Sequence, residues 1–398
     1  MSFLYSLFTF LQPGILWPGL AAYKPIIIIS VLAVIIGLIK GSEYPRSYVF
    51  SNLALKYLVV FVVIQIISVY YSGASSVIQQ FVFWYKYIAF VLVSVFVMTS
   101  INDTKKYIYG ILFGGEVIVI YGIFSVIFEY ASSAATGGMA GAYGMYENHN
   151  DYTFIIILML PFTYMLRKTT ESGLTRSILT FILITYFIGM FLSLSRGGMI
   201  ALVFELGLLY LYTTDKKIGL IRILFISSLA ISAIAAQFIM RSEHQGDVYT
   251  SEDSKSSRFE LWVAGKNMFL AHPLLGVGSQ RFNEFSRDYG EISHDNWGKN
   301  SHNTYVEIIA GTGLLGILTF FGFIKHAIRQ LREISNSDEA KTICAYATAT
   351  LVSLYSILLR SFFDAKVYDW SFYTLGAITI CLFAIYRNLQ DENVRETA

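Results

Sequence analysis

Three side chains that could do chemistry stand where a greasy chain has no structural need of them. Arg196 lies in FLSLSRGGMIAL, and from Ser177 to Thr214 the only other charged residue is Glu205. A Ser or Asn would turn the chain without the desolvation cost of about 2.5–3.5 kcal/mol that a cation carries at membrane depth. A guanidinium is always charged and can donate two parallel hydrogen bonds to a phosphate, so the position suits anion binding. Snorkelling to lipid phosphates is the simpler alternative. Arg258 falls in the first turn of a helix expected over SSRFELWVAGKNMFLAHP, the end where the helix dipole disfavours a cation, which again points to an external anion. His302 begins HNTYVEIIAGTGLLG. Histidine is the residue type whose titration range suits general-base work near neutral pH.

Other polar groups could complete a cavity around these three. Asn150, Asn303 and Glu307 are candidate cavity-lining residues, with Asn148, His149 and Asp151 beside the first of them in ENHND. Asn150 or Asp151 could equally cap a helix. Glu116, Glu129 and Glu205 lie within or at the end of apolar runs, where an ionisable side chain suggests function or a buried pairing. Arg281 and Arg287 read as solvated surface. No metal site is expected, because no HxxxH or HxxE pair accompanies His302 and His294 sits in a separate turn.

These residues need elements to hold them, and the composition says which kind. The 398 residues are 55% hydrophobic and only 14% charged, against roughly 25% charged in a soluble chain. Many apolar runs reach the roughly 20 residues that a bilayer core demands of a helix. The fold class is therefore an all-α polytopic membrane protein. Twelve spans are expected, near 3–22, 25–40, 53–70, 83–100, 107–129, 152–167, 177–194, 198–213, 218–240, 303–324, 342–360 and 369–387. Pro13 and Pro18 should bend the first. No basic residue precedes Lys24, so that segment reads as a retained span and not a cleaved leader.

Lys and Arg cluster in the connections after even-numbered spans, as in KGSEYPR and RKTTESGLTR, whereas YSGASSVIQQ and ASSAATGGMAGAYGMYENHND carry none. The positive-inside rule then puts both termini in the cytoplasm. The expected organisation is spans one to nine over 1–240, an outer loop over 241–302, spans ten to twelve over 303–387 and a cytoplasmic tail over 388–398. A loop that long is functional or disordered. Its aromatic content and helix signals favour an ordered outer-face domain. Ser257 and Glu260 have capping-box spacing, and Phe259, Trp262, Val263, Phe269 and Leu270 share a face suited to the membrane interface or to capping the bundle. In SRGG, Gly197 and Gly198 would allow a tight hairpin. Cys344 and Cys381 lie in apolar runs and imply no disulfide framework.

Taken together, ENHND, SLSRGG, SSRFELWVAGKNMFLAHPLLGVGSQRF and SHNTYVEIIAGTGLLG, in this order, resemble the O-antigen ligase and polymerase superfamily of bacterial envelope enzymes. The last three cover roughly residues 180–325; the first half resembles it in hydropathy and span count. The resemblance implies a GT-C-like membrane glycosyltransferase in the bacterial inner membrane, its active site facing the periplasm. It moves a glycan from undecaprenyl diphosphate to an acceptor hydroxyl, on a lipid A core, another glycan or a protein. Arg196 and Arg258 would hold the diphosphate and His302 would deprotonate the acceptor, in a metal-independent, inverting displacement. Neither a cofactor nor a nucleic-acid partner is implied. Arg241, Lys24, Lys86 and Arg360 are candidates for the further outer-face cations such families carry. A ligase is the reading adopted, with a polymerase of the same superfamily as the alternative. From another class, a lipid-linked glycan transporter or flippase would predict discontinuous helices and internal repeats.

Overall fold

The computed structural model describes residues 1–73, 77–128, 139–213 and 251–397. Among them all regular structure is helical. The longer helices are α1 (Ser2–Leu11), α2 (Pro25–Lys40), α3 (Leu53–Tyr71), α4 (Val77–Val97), α5 (Ile101–Ile127), α6 (His149–Thr169), α7 (Gly173–Leu192), α8 (Arg196–Thr213), α9 (Ser251–Ala271), α10 (Thr304–Ser335), α11 (Lys341–Arg360) and α12 (Trp370–Thr397). Eight of these, namely α3, α4, α5, α7, α8, α10, α11 and α12, are long and apolar enough to cross a membrane. The protein is a polytopic α-helical membrane protein. The expected span 218–240, with Glu129 and Arg241, lies outside the described residues.

The first expected span is broken, not bent. Helices Ser2–Leu11, Pro13–Leu16 and Pro18–Ala21 follow one another, and Gln12 between the first two has a left-handed φ of 50°. Each proline lacks an N–H and its ring clashes with the preceding turn, so each starts a new helix. At about 15 Å, α1 is too short to cross a bilayer.

The chain divides into two compact units. The first comprises 1–43, 96–247 and 331–360. Its centre is α6, buried on every side from Tyr152 through Phe162, as expected of a helix apolar all round. Helices α5, α7, α8 and α11 pack against it, and Ser353 Oγ on α11 donates to the Leu158 carbonyl at 2.9 Å. Helix α1 packs on α5, where Ser6 Oγ donates to the Tyr107 carbonyl at 2.7 Å. The outward face of α7 is the reverse of a soluble helix: Leu174, Ile178, Phe181, Ile184 and Ile188 are all exposed. Their i, i+3, i+4 spacing makes one apolar stripe that only lipid would cover.

The second unit comprises 44–95, 248–330 and 361–398. Here α3 and the C-terminal part of α10 run side by side in opposite directions, and successive contacts mark their register. Asn52 and Gln330 exchange side-chain hydrogen bonds of 3.0 and 3.3 Å. Tyr57 stacks on His326 with centroids 5.2 Å apart, and Phe61 meets Phe320 at 5.5 Å. Helix α12 packs against α3 and continues to Thr397, so the expected tail is helical.

The span expected over 303–324 is not one straight helix. Gly313 has φ 62° and interrupts α10. Tyr305 and Phe321 would be about 24 Å apart along a continuous helix, yet their rings stack with centroids 5.9 Å apart. The 304–312 arm therefore folds back on the 314–335 arm. Segment 273–278 supplies the backbone partners that both helix ends lack. Val277 and Gly278 N–H donate to the Ala310 and Gly311 carbonyls at 2.9 and 3.0 Å, and Leu314 N–H donates to the Pro273 carbonyl at 2.8 Å. A side chain on Gly276 or Gly313 would meet backbone within 2.4–2.5 Å.

Candidate functional site

In the first unit, the SRGG turn is built differently from the expected glycine hairpin. Helix α7 ends at Leu192 and α8 begins at Arg196. The reversal is carried by Leu194, which has φ 48°. Ser193 Oγ accepts from the Ser195 N–H at 3.2 Å, and Ser195 Oγ caps α8 by accepting from the Gly198 N–H at 3.2 Å. Gly197 and Gly198 are helical residues. Gly198 is required for closeness instead, since a Cβ there would lie 2.8–2.9 Å from the Thr153 side chain.

Arg196 thus opens α8, half-buried, behind a turn that is locked from below. Ser195 Oγ donates to Asn150 Oδ1 at 2.8 Å. Asn150 also receives Arg360, whose Nη2 reaches the Asn150 carbonyl at 3.2 Å and Oδ1 at 3.4 Å, while Nε donates to Thr153 Oγ1 at 3.2 Å. Arg360 is fully buried, its guanidinium 4.8 Å from the centre of the Phe154 ring. It joins the end of α11 to the start of α6, a role sequence alone could not assign. The α6 cap is Asn148, which accepts from the Asn150 N–H at 2.7 Å, so neither Asn150 nor Asp151 serves as the cap. Glu147, Asn148, His149 and Asp151 line a cavity of about 490 Å³.

Within the bundle, Glu205 is fully buried, and Glu116 accepts from Thr185 Oγ1 at 2.7 Å. Lys24 precedes α2 in a left-handed conformation, φ 45°. In the second unit, Lys86 places its ammonium 4.0 Å from the centre of the Phe83 ring.

The second unit holds Arg258 and His302. Helix α9 begins at Ser251, so Ser257 lies inside it and is no N-cap. Arg258 is two turns in, and the dipole argument for it does not apply. Glu260 turns instead to the loop, accepting from the Ser293 N–H at 3.0 Å, Ser293 Oγ at 2.8 Å and Asn296 Nδ2 at 3.0 Å. Burial pushes its carboxyl pKa up, but these hydrogen bonds outweigh that and hold it below its ordinary value. Leu261 and Met268 pack with Val277, Phe282 and Ala310, a core shared by the loop and the 304–312 arm of α10. The face carrying Phe259, Trp262, Val263 and Leu270 is exposed.

His302 sits in a frame of hydrogen bonds. Its backbone is left-handed, φ 49°, an uncommon conformation for a residue with a side chain, and such outliers gather at functional sites. The His302 N–H donates to Asn300 Oδ1 at 3.0 Å. Ser301 donates its N–H and Oγ to Glu307 Oε2 at 3.2 and 2.8 Å, Tyr368 Oη donates to Glu307 Oε1 at 3.1 Å, and Trp262 Nε1 donates to the Ser301 carbonyl at 2.9 Å. Glu307 is buried and clamps the turn from within. Asn303 caps the 304–312 arm, accepting from the Tyr305 and Val306 N–H groups at 2.9 and 3.2 Å.

Across from His302 lies a residue that sequence did not single out. Asp364 Oδ1 is 3.8 Å from His302 Nδ1. Thr304 ties the two segments together, its N–H donating to the Ser361 carbonyl at 2.9 Å and its Oγ1 to the Asp364 carbonyl at 2.8 Å. An imidazole with a carboxylate at Nδ1 presents Nε2 to a substrate proton. Arg281 is less solvated than expected, donating to the Ser72 carbonyl at 3.0 Å and to Ser72 Oγ at 2.8 Å. Arg287 stacks on Trp297 at 4.6 Å. Among the described residues no three His, Cys, Asp or Glu side chains converge to hold a metal ion.

Residues 181–321 match a protein-family model described as O-antigen ligase. That stretch supports a relationship to the O-antigen ligase and polymerase superfamily. With the apolar helices, it supports a membrane enzyme of the ligase or polymerase type that works on glycans at a lipid bilayer. The ligase-family stretch contains Arg196, Arg258 and His302; Asn150, Arg360 and Asp364 fall outside it. No curated protein matches the chain.

Proposed function

We propose that the protein is an O-antigen ligase-like glycosyltransferase with a GT-C-like fold. It takes a glycan from undecaprenyl diphosphate and passes it to an acceptor hydroxyl on the periplasmic face, the donor diphosphate being held by Arg196 and Arg258. The observation that carries this reading is the O-antigen ligase match over the stretch holding all three residues, with the His302–Asp364 pairing in support. His302 Nε2 takes the acceptor hydroxyl proton, and the oxygen attacks the anomeric carbon. The bond to the diphosphate breaks as that group leaves with the electron pair. The guanidinium groups stabilise the charge that develops on it. One displacement inverts the anomeric configuration.

Purified protein in nanodiscs, given an undecaprenyl-diphosphate glycan with and without a lipid A core acceptor, tests this. Release of lipid diphosphate with a single transfer to the core is expected. A ladder of longer lipid-linked chains would mean the superfamily's polymerase. The broken helix α10 is a feature that a transporter of lipid-linked glycan would share. Donor binding with no turnover on either acceptor, but with movement of the intact donor across a sealed vesicle, would move the assignment to transport.

A further inference from the structure

The register of α3, α4 and α10 gives a depth scale for the second unit, and the His302 turn lies far down it. At one end Asn52 pairs with Gln330. At the other, Gly278 bridges α3 and α10: its N–H bonds the Gly311 carbonyl, and a Cβ on it would lie 2.6 Å from Ser72 Oγ. From Asn52 to Ser72 is about 30 Å of helix, and from Gln330 to Leu314, where α10 breaks, about 24 Å. The first equals the roughly 30 Å hydrocarbon thickness of a bilayer, and the second crosses most of it. Tyr70 and Tyr71, exposed at the Ser72 end, suit the headgroup boundary. Lys56, Lys325 and Arg329 mark the opposite side.

On this scale the break at Gly313 is at the boundary and the 304–312 arm turns back into the slab. Tyr305 stacks on Phe321. Phe320, its neighbour, packs on Phe61, which packs on Trp84. The connection carrying Asp364 reaches the same level: the Tyr368 ring lies 6.1 Å from Trp84, and Tyr87 Oη donates to the Tyr368 carbonyl at 2.7 Å. Phe61 is about 16 Å of helix below Ser72, and Trp84 about 10 Å below Val77.

We propose that 302–312 and 361–369 form a re-entrant pair of segments within the bilayer, descending from the boundary at Gly313 to about 10–16 Å of helix below it at the Tyr305 end, with Phe362 turned to lipid acyl chains. Backbone at that depth is tolerated only where protein satisfies it, and the Thr304 bonds to Ser361 and Asp364 do so. Phe362 is 49% exposed although it packs on Tyr305 at 4.5 Å. A large apolar ring left open at that level fits hydrocarbon. The inference is independent of the reaction assigned above. If His302 is the base, a hydroxyl acceptor must descend below the headgroups to meet it.

Nitroxide labels test the depth in the full chain, with Cys344→Ala and Cys381→Ala as background. Ile78→Cys, Val82→Cys and Tyr85→Cys on α4 calibrate collision with oxygen against a water-soluble nickel chelate, and Asn283→Cys marks the loop. A label at Phe362→Cys should be oxygen-dominated and read deeper than Val82. A nickel-dominated label there, or one reading as shallow as Ile78, overturns the proposal. The calibrating series itself shows whether the background protein is inserted.

Discussion

His302 Nδ1 lies 3.8 Å from Asp364 Oδ1, and Thr304, two residues from the histidine, donates its Oγ1–H to the Asp364 carbonyl. That separation is longer than a hydrogen bond, but catalytic contacts commonly tighten only when substrate is bound. The pairing makes Asp364 a positioning residue, acting through the imidazole. His302→Ala should lower turnover by roughly 10²–10⁴-fold while donor binding is kept. Asp364→Asn should cost less than His302→Ala and leave the acceptor KM unchanged. Steady-state kinetics of the two variants beside a donor-binding assay check this. Full turnover in His302→Ala would remove it from the chemistry.

Arg196 stands at the first position of α8 behind the Ser195–Asn150 bond. If it forks onto a diphosphate, charge alone will not replace it, because an ammonium cannot donate two parallel bonds from one plane. Arg196→Lys should therefore lose about 1.5–3 kcal/mol of donor interaction, roughly 10- to 150-fold. Arg258→Lys should behave alike. The measurement is donor affinity of each variant in nanodiscs. Lysine variants that bind as tightly as the parent protein would show that only positive charge is needed at those positions.

Hydropathy made most helices legible, because a bilayer imposes the same length and polarity on every span. The candidate residues were legible for a related reason: Arg196 and His302 stand out against an apolar background. What sequence hid were the relationships made by close approach. Nothing near Asp364 or Arg360 in the chain signals a partner some sixty or two hundred residues away. Gly313 reads as one more small residue in an apolar run, although its left-handed φ converts one expected span into two arms. Ser257 has the right neighbours for a cap, yet α9 begins earlier. A local rule cannot see where a helix starts when residues before it also favour helix.

Gly276 and Gly313 meet where segment 273–278 caps both arms of α10, and each has positive φ, 65° and 62°. Gly276→Ala should destabilise the protein by about 1–3 kcal/mol from backbone strain alone. The methyl would add a clash, lying 2.4 Å from the Ala310 carbonyl oxygen. Gly298, also left-handed but with open space around it, is the control in which only strain remains. A thermal shift of detergent-solubilised protein should fall further for Gly276→Ala than for Gly298→Ala. Equal shifts would mean that the 273–278 segment tolerates moving away from α10.

Glu260 gives the loop a dependence on acid. Burial is the largest single influence and raises its carboxyl pKa, but the bonds from Ser293 and Asn296 together hold it below the ordinary value. A carboxylate lower in the folded than in the unfolded state lends stability that is complete above the unfolded value, about 4.3. That stability is lost as pH falls through the folded value. The loop around Ser293–Asn296 should therefore loosen below about pH 4 while remaining unchanged from pH 5 to 8. Glu260→Gln should be loosened at every pH and lose the acid transition, since a neutral amide accepts the same bonds more weakly. Hydrogen-exchange protection factors for residues 293–299, which divide out the intrinsic pH dependence of exchange, read the difference. A parent protein whose protection is flat through pH 3–5 would mean that the Glu260 bonds do not hold the loop.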